Sequence, residues 1–160
     1  MSSNPADDTH ALGRGGRRRR VRQTTSPSSA RPSEVLRMFF LAGLLHIGAS
    51  AVAGVAYAFS GSDRLHWLAL HLLFLGGVSQ LVLGAGQFFV CAFLATDPPP
   101  RQLLAAQLLA WNAGTVLVAV GVPTAHAGLV EAGGALIAIG LLLFAVALGG
   151  MERRSLQRAP

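Results

Sequence analysis

Residues 66–95 read HWLALHLLFLGGVSQLVLGAGQFFVCAFLA, and no Asp, Glu, Lys or Arg interrupts them. A helix needs about 20 apolar residues to cross a hydrocarbon core of roughly 30 Å, because each residue advances about 1.5 Å. The stretch is longer than that, so it predicts a spanning helix that tilts or runs past the core. Outward from it the pattern recurs three times. Residues 96–102 hold Pro98, Pro99 and Pro100, which stop a helix by removing N–H donors and restricting the residue before each proline. Residues 103–122 are apolar again, 123–127 form a tight turn, and 128–150 are apolar. Upstream, 60–65 are a short polar turn and 38–59 a further charge-free segment. The expected spans are therefore about 38–59, 66–95, 103–122 and 128–150.

Composition agrees. The chain is 52% hydrophobic and 12% charged, whereas a soluble domain is about a quarter charged. Between Met38 and Gly150 the charges are Asp63, Arg64, Asp97, Arg101 and Glu131. The net charge of +6 invites a nucleic-acid reading. It fails, because the basic residues sit in tails and loops flanking apolar segments, and none is a lysine. A nucleic-acid binder would gather them on a folded face. Residues 1–36, rich in Ser, Pro, Gly and Arg, bury too little apolar surface to offset ordering entropy and are expected to be disordered. The arginine run raises the question of a twin-arginine signal. The apolar stretch lies some distance beyond Arg22 and is long for a signal, so the run is read as tail. The organisation is a tail (1–36), a transmembrane domain (37–150) and a second tail (151–160). The single Cys91 allows neither an internal disulfide nor a Cys-rich metal site.

Orientation follows from the arginines. Eight precede Met38, Arg101 lies in the second loop, and Arg153, Arg154 and Arg158 follow the last span. These make 12 of 13 on one side, with only Arg64 opposite. The positive-inside rule then places both termini in the cytoplasm, and the expected location is the inner membrane of a bacterium. Short loops make consecutive helices antiparallel neighbours, so the fold class is an all-α, up-down four-helix transmembrane bundle. Small residues at four-residue spacing supply close contacts: Ser50, Gly54 and Ala58; Ala106, Ala110 and Gly114; Gly134 and Ala138. In the second span, at about 100° per residue, His66, Gly77, Gln80, Gly84, Gln87 and Cys91 share one sector, and His71, Leu75, Ser79, Val82 and Gly86 another.

Ionisable groups inside a span are costly and mark candidate sites. His46 and His71 are the candidate cofactor ligands, since neutral imidazole ligates haem iron or copper. With Phe59 and His66 taken as level, the two differ in depth by roughly 12 Å, too far for two axial ligands of one iron. A second grouping lies near the outer face, where His66, His126 and Glu131, with Asp63 and His71, are candidate nitrogen and oxygen ligands for copper or zinc. Gln80 and Asn112, both near the membrane centre, are expected to hydrogen-bond between helices, and Gly77, Gly84 and Gly114 to pack at helix contacts. Tyr57 and Trp67 suit an interfacial aromatic belt.

The run HLLFLGGVSQLVLGAGQ from His71 to Gln87, followed by Pro98–Pro100 and by Trp111, Asn112, Ala113 and Gly114, resembles membrane modules related to haem-copper oxidase subunit I and the NnrS family. The resemblance covers about 80 residues and is strongest at His71, Gly76 and Gly77. It implies haem or copper as cofactor, held by His71 and His46. Four spans and the missing remainder of the ligand set imply an accessory module of respiratory or nitrogen-oxide metabolism and not an enzyme. The alternative is a non-enzymatic scaffold or assembly partner working through helix packing. A small multidrug-type transporter would need a carboxylate in the first span, which has none. The expected partners are the lipid bilayer and either a second copy of the chain or a respiratory-chain membrane protein, with no nucleic acid.

Overall fold

The computed structural model describes residues 31–157. It contains α1 (Pro32–Ser60), α2 (Asp63–His71), a π-helical segment (Leu72–Val78), α3 (Ser79–Phe93), α4 (Arg101–Gly121) and α5 (Ala127–Leu156). α2, the π segment and α3 form one continuous rod, so four helices long and apolar enough to cross a membrane result: Ser33–Ser60, Asp63–Phe93, Arg101–Gly121 and Ala127–Leu156. The protein is a multi-pass membrane protein with an up-down four-helix bundle, and large apolar side chains such as Leu45, Phe59, Phe93 and Leu109 face outward. Such a surface is stable against lipid and not against water.

The helices outrun the hydrophobic segments. α1 starts at Pro32, within the tail expected to be disordered, because proline suits the first helical turn. There the Glu34 carboxylate accepts the free Arg31 N–H at 3.1 Å. Residues 1–30 of that tail lie outside the described residues. α5 continues to Leu156, six residues past the expected boundary, since nothing in Met151–Leu156 breaks a helix. α1 ends at Gly61, whose φ of 62° lets its N–H close onto the Tyr57 carbonyl at 2.8 Å.

Two hairpins build the bundle. α1 packs along the whole second rod, and α4 along α5, while the hairpins touch each other less. Gly114 and Gly133 set the α4–α5 approach. A Cβ on Gly114 would lie 2.7 Å from the Gly133 carbonyl oxygen, and one on Gly133 2.8 Å from that of Gly114. Gly77 and Gly84 serve α1 in the same way, facing Ile47 and Phe39. The ridge expected at Gly134 and Ala138 does not pack within the chain, for Gly134 meets open space. Gly133 and Gly140, seven residues apart and one position off that ridge, carry the contact. Gly54 likewise faces open space, whereas Ser50 on the same helix donates to the Ala69 carbonyl at 2.7 Å.

Between the hairpins lies an apolar core of Val35, Phe39, Leu83, Leu104 and Trp111, backed by Leu75, Leu108, Ile137 and Phe144. At the end of the bundle bearing both termini, Arg101 pairs with Glu34 at 2.8 Å and Arg154 donates to the Asp97 carbonyl at 3.1 Å.

The π segment changes the second rod's geometry. Ser79 N–H bonds back to Phe74, five residues earlier, and the Ser79 hydroxyl reaches the same carbonyl at 2.8 Å. The Trp111 indole N–H enters from α4 to the Leu75 carbonyl at 3.0 Å. A wide turn fits more residues per revolution and rotates everything on one side of it relative to the other. The expected single sector therefore splits. Gly77, Gln80, Gly84, Gln87 and Cys91 are buried together, while His66, on the other side of the π segment, is exposed.

Candidate functional site

His46 lies in the α1 face that meets the second rod. Its Nδ1 is 2.9 Å from the Ala42 carbonyl oxygen, one turn back on its own helix. The ring lies across Gly76, where a Cβ would come within 2.3 Å of Cδ2, 2.5 Å of Cγ and 2.8 Å of Cβ of His46. Only glycine leaves room for an imidazole there. His71 is the last residue of α2. Its Nδ1 is 2.9 Å from the Trp67 carbonyl oxygen, and its ring stacks on the Trp67 indole with centroids 3.8 Å apart. A ring nitrogen next to a carbonyl oxygen must carry the hydrogen, so in both histidines Nδ1 is the donor and Nε2 keeps its lone pair. Both rings are half-buried.

The register differs from the one expected. Ser50 meets Ala69, Tyr57 meets His66 with ring centroids 4.7 Å apart, and His46 meets Gly76. His71 is five residues from Gly76, so the two histidines are separated in depth by roughly 7 Å at the α-helical rise, against the 12 Å expected. The slide follows from seating the His46 ring on Gly76. The His46 ring is turned toward Gly76 of the second rod, and the His71 ring stacks along its own helix.

The outer-face residues are only partly brought together. His66 makes an edge contact with Tyr57. His126 and Glu131 line one open pocket with Gly121, Val122 and Val130, and Asp63 lines another with Trp67 and Pro123. Among the described residues no three His, Cys, Asp or Glu side chains gather where they would hold a metal ion. His66, His126 and Glu131 are thus not assembled into a ligand set. The start of α2 and the α4–α5 turn do meet, since Asp63 and Trp67 line a pocket with Val122 and Pro123, but no third ligand among the described residues joins His126 and Glu131 there.

The expected bond between Gln80 and Asn112 is not formed. Asn112 Nδ2 donates to the Leu108 carbonyl of its own helix at 2.6 Å. The depth matches but the direction does not: Trp111 takes the position facing the neighbouring hairpin, and Asn112 is turned about 100° from it. One turn before Trp111, Gln107 shares its face and is fully buried at 0% exposure. Gln87 Nε2 donates to Gln107 Oε1 at 3.1 Å and makes a longer contact of 3.4 Å with the Leu83 carbonyl. This pair joins the two hairpins. The sequence places Gln87 in one sector of the second span with Gln80, and gives Gln107 no partner. The signal that would have joined them is the four-residue step from Gln107 to Trp111, which puts both on one face.

Comparison with protein families, with curated proteins and with solved structures finds no match.

Proposed function

We propose that this chain is an accessory membrane module of respiratory or nitrogen-oxide metabolism that holds haem through its membrane histidines. The observation that carries the reading is the pair of hydrogen bonds that fix His46 and His71 with Nδ1–H on a carbonyl, which leaves Nε2 free to ligate. A carbonyl on the far nitrogen is the usual second partner of a metal-ligating histidine, because it fixes both tautomer and ring direction. His71, half-buried at the head of the π segment, is the stronger ligand candidate, and His46 the second. His71 and His46 would be the residues to hold the group, each through its own Nε2. Haem held this way would supply one-electron chemistry, with the surrounding apolar helices lowering the local dielectric. His126 and Glu131 share a pocket, but His66 does not join them to complete a set of three for copper. The arginine asymmetry supports both termini in the cytoplasm.

An absorption spectrum with metal analysis of the detergent-purified protein tests the reading. A Soret band that is lost in His71→Ala and weakened in His46→Ala is expected. A colourless, metal-free preparation overturns it.

A specific observation favours a second reading, that of a scaffold or assembly partner. Gly134 and Ala138 turn an unfilled small-residue ridge outward on α5, the feature that lets transmembrane helices approach each other closely. On that reading Gly134→Leu dissolves an oligomer or complex in crosslinking, and histidine variants leave it intact.

A further inference from the structure

The buried interior of the bundle holds polar groups that the histidine reading does not use. Gln80, Gln87 and Gln107 are each at 0% exposure. A carboxamide offers two N–H donors and an accepting oxygen. The bond between Gln87 and Gln107 uses one donor and one acceptor and leaves Gln87 Oε1 and Gln107 Nε2 without a partner. Gln80 has no partner at either Nε2 or Oε1. Gln87 and Gln107 meet across the seam between the hairpins, which pack against each other least, and Gln80 lies two turns before Gln87 on the same rod. The nearby polar side chains are already engaged: the Trp111 indole serves the Leu75 carbonyl, the Thr115 hydroxyl the Trp111 carbonyl, and Asn112 the Leu108 carbonyl.

We propose that Gln80, Gln87 and Gln107 form a buried site for internal water within the membrane. The chemistry selects the ligand. Among the described residues the buried polar side chains are Ser50, Gln80, Gln87, Thr96, Gln107 and Thr115, all neutral, so an ion beside the glutamines would have no buried counter-charge among them in a medium of low dielectric. A ligand there must be neutral and must donate and accept at once, since the pair presents a free acceptor on Gln87 and free donors on Gln107. Water meets these conditions and is small enough for a packed interior, where buried water commonly serves polar groups that lack protein partners. Gln80 and Gln87 are two helical turns apart, roughly 10 Å, which suits a short file of waters rather than one molecule. Gln80 is four residues from Gly76, so the file ends about one turn from the His46 ring. Full burial prevents a partner chain or a lipid headgroup from reaching these atoms.

Water-edited solid-state NMR on the full chain in lipid bilayers, with nitrogen-15 throughout, tests the site. Rapid transfer from water to the Gln80 and Gln107 side-chain amides is expected. Transfer to their α3 neighbours Leu83 and Gly84 should be weak. In D2O the glutamine side-chain protons should exchange while those backbone amides stay protonated. Gln80→Leu should lower transfer to Gln107 at least about twofold if the waters form one file. Gln107→Leu, read at Gln80, is the matching variant should the first fail to fold. Side-chain amides that receive no water signal and keep their protons in D2O overturn the site, as does a Gln107 signal indifferent to Gln80→Leu.

Discussion

The contact between Gly76 and His46 turns the local geometry into a measurable coupling. In Gly76→Ala the new Cβ would lie 2.3, 2.5 and 2.8 Å from His46 Cδ2, Cγ and Cβ. The last of these is at the root of the side chain, so a small rotation of the ring does not relieve the clash. The ring must leave, giving up the Nδ1 bond to the Ala42 carbonyl, or α1 must move away from the second rod. Overpacking costs about 1–3 kcal/mol and a lost hydrogen bond about 1 kcal/mol, so the expected destabilisation is about 2–3 kcal/mol. His46→Ala alone should cost about 1–2 kcal/mol, by removing a half-buried ring. In the double variant the alanine methyl at position 76 occupies space the ring has vacated. Its cost should therefore fall short of the sum of the two single costs by about 2 kcal/mol. The assay is unfolding in detergent micelles by added dodecyl sulfate, followed through tryptophan fluorescence. If the two costs add within error, His46 does not lie across Gly76 and the register derived from that contact is wrong. Where haem is bound, Gly76→Ala should also shift the Soret band, since it moves the His46 ligand without changing it.

Gly114→Ala should destabilise the α4–α5 hairpin by about 2 kcal/mol, because the obstructing Gly133 carbonyl is backbone and cannot rotate away. Gly134→Ala, which meets open space, should stay within about 0.5 kcal/mol of the parent in the same unfolding titration. Trp111→Phe removes the indole donor to the Leu75 carbonyl and should cost about 1–3 kcal/mol, with faster hydrogen exchange confined to residues 72–79. Ala125 holds a φ of 55°, which a Cβ disfavours, so Ala125→Gly should raise the unfolding midpoint by the equivalent of about 0.5–1 kcal/mol.

The number, order and approximate bounds of the spans were legible in the sequence because lipid imposes one simple condition. Every backbone polar group must be satisfied within the segment, and the segment must be long and apolar enough to cross. That Gly77 to Cys91 share one sector of the second span was legible too, because that length is nearly regular helix, whereas the inward direction of that sector was decided by packing. Its extension to His66 was not, because periodicity assumes constant twist and the π segment at Leu72–Val78 breaks it. Nothing in LLFLGGV states that Trp111 will donate to Leu75 from another helix. The polar pairings failed for a related reason. Sequence gave Gln80 and Asn112 similar depths, but depth is a property of one helix and facing is a property of two. Which face of α4 turns toward the other hairpin was settled by burying Trp111, and that choice selected Gln107 over Asn112. The candidate ligands follow the same division. The sequence by itself determined that His46 and His71 lie within membrane-spanning helices, since their segments are too apolar to lie elsewhere. Only the tertiary structure decided their relative depth, because a helix slides until its bulky groups find gaps, and the gap for the His46 ring is Gly76.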